Sequence, residues 1–155
     1  MPEEHRSEYA RGKQSSEVDR KIMFIDHFSL GVSDLARSAR FYDAVLATIG
    51  ASRLFERPDF VCYGTSYDGF FVLNRPDDRT RAVMPNNGFH VCFSASDKAA
   101  VLRFHTIALA EGGRDNGAPG YRTQYAPDYY GAFVIDSDGH HLGVVCRTER
   151  TTPMI

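Results

Sequence analysis

The 155-residue sequence contains one segment twice. When residues 27–50 are aligned with residues 90–113 without gaps, nine of the 24 positions are identical, including the pair His27/His90. Unrelated segments of this length share far fewer identities. Similarity at a fixed spacing indicates a repeated structural unit, so the chain is expected to consist of two copies of one module. Each half alone is near the lower size limit for an independent core, so the two should pack as one body.

Both copies predict a strand, a helix and further strands. Residues 25–32 are typical of a strand, Ser33-Asp34 of a helix cap, and the apolar residues after the cap recur near the 3.6 period of a helix that ends at Gly50. The remaining predicted elements are strands at 52–57, 60–64 and 69–74, then a strand at 88–95, a helix at 97–111, a long loop at 114–127, and strands at 129–135 and 140–146. Each copy therefore predicts a β-α-β-β-β module.

The composition sets the boundaries and limits the class of protein. We expect residues 1–21 to form a polar N-terminal arm, residues 22–147 the domain with modules at about 22–80 and 86–147, and residues 148–155 a C-terminal tail. A net charge of −2 does not indicate the excess of positive charge that is typical of proteins that bind nucleic acid. No apolar run is long enough to span a membrane. Three cysteines without a CxxC pair favour a reducing compartment, so a cytoplasmic protein is expected.

Four motifs carry a resemblance to a known family. They are Asp26 to Leu35 (DHFSLGVSDL), Ser38 to Leu46 with Phe41-Tyr42, Gly88-Phe89-His90-Val91, and the turn Asp136-Ser137-Asp138-Gly139. Together they resemble the vicinal oxygen chelate superfamily, which includes glyoxalases, bleomycin-resistance proteins, fosfomycin-resistance proteins and extradiol dioxygenases. The resemblance implies an α+β fold in which two tandem β-α-β-β-β modules form an open, cup-shaped mixed sheet that holds a ligand or a metal.

The resemblance also implies where a metal would bind. His27 and His90 match the two histidine positions of metal-binding members, and we expect both to face one cavity. Gly143 stands where the family has a carboxylate, so a gap is expected there. His141 and Cys92 are alternative ligands, because strand alternation places them near Gly143 and His90. A divalent Zn, Fe, Mn or Ni and a site without metal both remain open.

Aromatic residues are abundant, with 8 Tyr and 11 Phe. They predict either an aromatic pocket for a small molecule or ordinary core packing. Residues 118–130 are expected to contact a ligand, because a long loop in a compact domain is usually functional. His105, on the second helix, is expected at the surface. The residues proposed to bind the ligand are Tyr63, Phe71, Cys92, Arg122, Tyr125, Tyr130 and His141.

Two functions are compatible with these residues. The first is a binding protein that holds a small aromatic or oxygenated molecule without metal, as bleomycin-resistance relatives do. The second is a metal-dependent lyase, isomerase or dioxygenase with His27 and His90 as ligands. Metal analysis of protein purified without chelator discriminates between them. A homodimer is expected in either case, because the cup and the sheet edges are open.

Overall fold

The repeated sequence folds into two successive copies of one strand–helix–three-strand unit. The computed structural model describes residues 24–66 and 69–147, and the predicted arm at 1–21 and tail at 148–155 lie outside them. The elements are β1 (His27–Gly31), α1 (Leu35–Ala47), β2 (Ser52–Arg57), β3 (Phe60–Gly64), β4 (Phe70–Asn74), β5 (His90–Ser94), α2 (Lys98–Ala110), β6 (Arg114–Tyr121), β7 (Tyr129–Ile135) and β8 (His141–Arg147). This order confirms the predicted α+β repeat.

The strands form two four-stranded mixed sheets that do not close into a barrel. Their strand orders are β1-β4-β3-β2 and β5-β8-β7-β6. In each sheet the module's first strand lies at an edge and pairs in parallel with the last strand, while the other pairings are antiparallel. Because His27 pairs with Phe70 and His90 pairs with His141, the two histidines occupy equivalent positions at the start of an edge strand.

The helices begin at the predicted caps. The Asp34 carboxylate accepts a hydrogen bond from the Arg37 amide at 2.9 Å, and the Asp97 carboxylate accepts one from the Ala100 amide at 2.7 Å. Each side chain satisfies an amide that has no partner within its helix. The chain leaves α1 through Gly50 at φ 81°, a backbone conformation that favours glycine.

The predicted loop at 114–127 is wrong, because its first half is the strand β6. This strand pairs with β7, and its register shifts on both sides of Gly117. An edge strand tolerates the glycines and the proline of this segment, because bulges and missing donors do not interrupt a central ladder. The composition typical of a loop therefore concealed an irregular edge strand.

His105 is also not at the surface as predicted. Only 9% of the residue is exposed, and its Nε2 lies 2.8 Å from Oδ1 of Asp115 on the neighbouring β6. This hydrogen bond holds the pKa of Asp115 below its usual range. The face of α2 that carries His105 is covered by β6, the strand that was interpreted as a loop.

The two modules share one hydrophobic core. Helices α1 and α2 contact each other, and the rings of Phe71 and Phe93 meet edge to face at 5.5 Å between centroids. Burying apolar surface from both modules in one cluster is the main favourable contribution to their association. Neither of these helices has the length and apolar composition required to cross a membrane, within the residues described.

A buried polar contact fixes how the modules meet. The Tyr42 hydroxyl of α1 donates to Oδ2 of Asp136, in the turn between β7 and β8, at 2.7 Å. Oδ1 of the same carboxylate accepts the amides of Asp138 and His140 at 2.9 and 2.8 Å. Burial, together with the negative charge of Asp136, raises the pKa of Tyr42 well above its usual value. The hydroxyl therefore stays protonated and remains a donor.

Further contacts surround this hydrogen bond. The Asp138 carboxylate accepts hydrogen bonds from the Ser33 amide at 3.2 Å and from the Arg37 guanidinium at 3.3 Å. The His140 ring donates from Nε2 to the carbonyl oxygen of Gly31 at 2.9 Å. The acidic turn of the second module therefore holds the end of β1 and the start of α1.

We expect Tyr42→Phe to lower the free energy of unfolding by about 1–3 kcal/mol, because Oδ2 of the buried Asp136 carboxylate loses its hydrogen-bond donor. Urea denaturation measures the loss. Tyr63→Phe is the matched control, because the Tyr63 hydroxyl is 3.0 Å from Asp43, a half-exposed carboxylate that also binds Arg53. Equal losses in the two variants would contradict the role assigned to Tyr42.

Candidate functional site

Each sheet has one face against its helix and one open face. In β1, Phe28 and Leu30 point towards the core, so alternation places His27 on the open face. In β8, Leu142 and Val144 belong to the core, so His141 and Gly143 lie on the open face. Candidate site residues of both modules therefore lie on the open faces of their sheets.

The open face of the second sheet forms a cavity of about 990 Å³ together with the segment that leads into β5. We call this space the second-module cavity. Four aromatic side chains line it, namely Phe89, Tyr125, Tyr129 and Phe133. The rings of Tyr125 and Tyr129 are in contact, with centroids 5.2 Å apart and planes at 60°. Its volume is at the upper end of the range typical of small-molecule sites.

Polar groups complete the lining of the second-module cavity. The amide side chains are those of Asn86, Asn87, Asn116 and Gln124, and the ionisable ones, apart from the tyrosines, are His90, Arg122 and His141. His90 and His141 are cross-strand neighbours on β5 and β8. Aromatic walls with a few convergent polar groups are the usual composition of a site for a small organic molecule.

The gap predicted at Gly143 is not present, because side chains occupy the space. A Cβ atom on Gly143 would lie 3.0 Å from Sγ of Cys92 and 3.2 Å from the ring of Phe133. Sγ of Cys92 is also 3.6 Å from the Tyr129 hydroxyl. The position of the family's carboxylate is therefore packed with a thiol and a phenyl ring.

This packing has electrostatic consequences. Partial removal from water raises the pKa of the Cys92 thiol, although the hydrogen bond with Tyr129 opposes part of the shift. Burial and the neighbouring Cys92 raise the pKa of Tyr129. The guanidinium of Arg147 lies 5.0 Å from the Tyr129 ring and 3.6 Å from the Asp128 carboxylate. Both the thiol and the phenol are neutral near pH 7.

His27 lies in a different space from His90. It lines a groove of about 340 Å³ that runs past Phe28, Phe70 and Cys92. Its ring stacks on Phe70 with centroids 5.2 Å apart, and its Nδ1 contacts the Asp26 carboxylate. Within one chain, the two histidines expected to face one cavity therefore line separate cavities.

The residues of one chain do not fit the metal site that the family implies. Gly143 supplies no carboxylate, and Cys92 and Phe133 fill its surroundings. Within residues 24–66 and 69–147, no group of three or more His, Cys, Asp or Glu side chains is arranged to hold a metal ion. Two imidazoles in separate spaces do not form the three-ligand set of a catalytic metal.

The predicted ligand-binding residues occupy three environments. Arg122, Tyr125 and His141 line the second-module cavity, and Cys92 lines the groove beside His27. Tyr63 and Phe71 are buried core residues whose edges border that groove. Tyr130 faces the α2 side of its sheet, where it meets Tyr121 with ring centroids 5.2 Å apart.

Sequence reasoning missed Phe133 and Asn116 as cavity residues. Phe133 shares the open face with Tyr129, and the alternation along β7 was the available signal for it. Asn116 was hidden by the interpretation of β6 as a loop. Gln124, which also lines the cavity, lies within residues 118–130, the segment expected to contact a ligand.

Solved structures with the same fold confirm the resemblance inferred from the motifs. A glyoxalase/bleomycin resistance protein from Albidiferax ferrireducens T118 is 29% identical, with a TM-score of 0.72 over 81% of this chain and 99% of that one. A glyoxalase/bleomycin resistance protein/dioxygenase family enzyme from Burkholderia phytofirmans PsJN is 18% identical, with a TM-score of 0.62 over 79% and 97%. The fold is therefore that of the glyoxalase/bleomycin resistance/dioxygenase family, consistent with the vicinal oxygen chelate superfamily.

A lactoylglutathione lyase from Agrobacterium tumefaciens is a more distant match. It is 24% identical, with a TM-score of 0.54 over 79% of this chain and 92% of that one. No protein-family model matches the sequence, and no curated protein matches it. The similarity establishes the fold and leaves the ligand to be inferred from the site.

We expect Gly143→Ala to lower the free energy of unfolding by about 1–3 kcal/mol, because the new methyl group would crowd Cys92 and Phe133. In the double variant Gly143→Ala/Cys92→Ala, the loss should be smaller than the sum of the two single losses, because Sγ no longer crowds the methyl group. Thermal or urea denaturation of the four proteins measures this coupling. Additive losses would contradict the packing described for Gly143.

Proposed function

We propose that this protein binds a small organic molecule with an aromatic or apolar body in the second-module cavity, without a metal ion. The observation that carries the proposal is the cavity itself, about 990 Å³ on the open face of β6, β7 and β8, with four aromatic side chains in its walls. Such a space accommodates one or two rings with their substituents. The proposal favours the binding protein over the metal-dependent enzyme.

The aromatic walls give this cavity its preference for a flat ligand. Tyr125 is 64% exposed at the rim, and its ring contacts the ring of Tyr129, which is less exposed. Both tyrosines line a cavity that also contains amide side chains, so a ring with polar substituents finds both kinds of contact. Stacking on a tyrosine is favourable by about 0.5–1.5 kcal/mol beyond the area buried.

The donor atoms around the cavity support binding without metal. Cys92 and Tyr129 are held neutral by their raised pKa values, so neither is a good anionic ligand near pH 7. The carboxylate of Asp128 points to Arg147 at 3.6 Å.

Three free cysteines, Cys62, Cys92 and Cys146, support the proposed cytoplasmic location.

We expect Tyr125→Ala to weaken the binding of 2-naphthoate at least about fivefold, because the ring loses a stacking partner. Tyr121→Ala is the matched control: this tyrosine is 52% exposed on the same segment but contacts Tyr130 and Lys98 instead of the cavity. Calorimetric titration before and after treatment with a chelator measures both effects. Equal losses in the two variants, or loss of binding in chelator, would contradict the proposal.

We also propose that two copies of the chain associate through the open face of the first sheet. The rings of Phe55, Phe60 and Phe70 form an aromatic cluster there, with centroids 5.9 and 6.0 Å apart, and Phe55 is 37% exposed. The β1 edge beside the cluster is unpaired in this sheet. A second copy would cover the apolar rings and leave the β2–β3 loop at the rim.

Sedimentation velocity tests this dimer. Phe55→Glu should convert a dimer into a monomer at micromolar concentration, because a carboxylate would be buried among aromatic rings. Leu102→Glu is the control, since Leu102 is 48% exposed on α2, away from the cluster. A monomer in the unmodified protein, or a dimer in both variants, would overturn the proposed interface.

A further inference from the structure

We infer that the molecule bound in the second-module cavity carries a carboxylate group and that Arg122 binds it. This inference rests on the proposed function, because it assumes that the cavity is the binding site. It adds the charge and the polar group of the ligand, which aromatic walls alone do not define.

The ionisable side chains of the cavity favour an anion. Arg122, His90 and His141 line it, and no Asp or Glu does so among the residues described. A positive group in a partly enclosed space attracts an anion more strongly than the same group on an open surface. A cationic ligand would find no opposite charge in the lining.

The Arg122 guanidinium lies against the backbone of β6. A Cβ atom on Gly120 would lie 2.9 Å from Nη1, and one on Gly117 would lie 3.5 Å from Nη2. The distance at Gly120 is an overlap, so a side chain there would displace the guanidinium, whereas the distance at Gly117 is an ordinary van der Waals contact. Gly117 also has a φ of 152°, which glycine adopts without strain. Gly120 therefore leaves space on β6 for the arginine.

Contacts with uncharged groups hold the guanidinium in this position. Nη2 donates to the carbonyl oxygen of Ala118 at 2.6 Å, and Nη1 donates to that of Tyr121 at 3.2 Å. The Phe133 ring lies 5.6 Å from its central carbon, in range of a cation–π interaction. These contacts fix the orientation of the group and leave its charge uncompensated.

Arg122 differs in this respect from the arginines that build the fold. Arg37, Arg53 and Arg147 each contact a carboxylate, on Asp138, Asp43 and Asp128 respectively. Arg122 forms no such ion pair with the part of the chain that the structure describes. A guanidinium has five N–H donors in a planar fork, and this shape matches the two oxygens of a carboxylate. An oriented arginine without an acidic partner is a preformed hydrogen-bond donor for an anionic ligand.

The aromatic walls identify an organic acid rather than a bare anion. Tyr125 and Phe89 stand at the mouth and are 64% and 45% exposed, so they offer apolar area that inorganic phosphate cannot use. A planar ring beside them could extend its carboxylate to Arg122. Small aromatic or otherwise apolar monocarboxylates are therefore the inferred ligand class.

The experiment compares 2-naphthoate with its neutral isostere 2-naphthamide by calorimetric titration of the full chain. We expect the unmodified protein to bind the acid at least about tenfold more tightly, the preference typical of a charge-assisted hydrogen bond. Arg122→Gln should bind the two probes equally. Arg114→Gln, at the other end of β6 and outside the cavity lining, should retain the full preference.

Other outcomes separate the inference from the function on which it rests. Equal binding of acid and amide by the unmodified protein, or a preference that survives Arg122→Gln, would overturn the inference and leave the binding function intact. Binding of neither probe would overturn the proposed function itself. Displacement of 2-naphthoate by equimolar inorganic phosphate would show an anion site without preference for a carboxylate and would overturn the assigned ligand class. In Arg122→Lys, a preference below that of the unmodified protein is expected, because an ammonium group lacks the planar fork.

Discussion

The hydrogen bond between Tyr42 and Asp136 is the contact on which the arrangement of the two modules depends. It is buried, it joins α1 of the first module to a turn of the second, and it satisfies the last free acceptor of a carboxylate that already holds two backbone amides. A buried carboxylate without these donors would be strongly destabilising. Asp136 therefore requires Tyr42 of the first module and the turn of the second module to stay in contact. The same turn leads directly into β8, so the contact also determines where His141 and Gly143 lie.

The two copies of the module have diverged in how they use their open faces. The first presents the aromatic cluster of Phe55, Phe60 and Phe70, with His27 stacked on one of its rings. The second encloses a cavity with an oriented arginine and polar side chains. In the functions proposed here, one repeated backbone supplies a surface for association in one copy and a site for a ligand in the other. In the second module, Cys92 and Phe133 occupy the space that a metal-binding carboxylate would need.

The sequence predicted most of the fold and part of the site. The repeat, the caps at Asp34 and Asp97 and the strands of the first module follow from local patterns, and the structure confirms them. The strand β6 was concealed by its local sequence, because its glycines and proline are typical of a loop, although the β-α-β-β-β repeat requires a strand between α2 and β7. The same error placed His105 at the surface, since its partner Asp115 lies on that strand.

The site depended on information that a single strand does not contain. The position of the Arg122 guanidinium depends on Gly120 of β6 and on the Phe133 ring of β7, and the filling of the space at Gly143 requires Cys92 from β5. The most direct test of this account is a map of amide chemical-shift changes by NMR during titration with 2-naphthoate. The account predicts that the changes centre on Gly117, Arg122 and Tyr125. Changes centred on His27 and Phe70, with the second-module cavity unaffected, would contradict it.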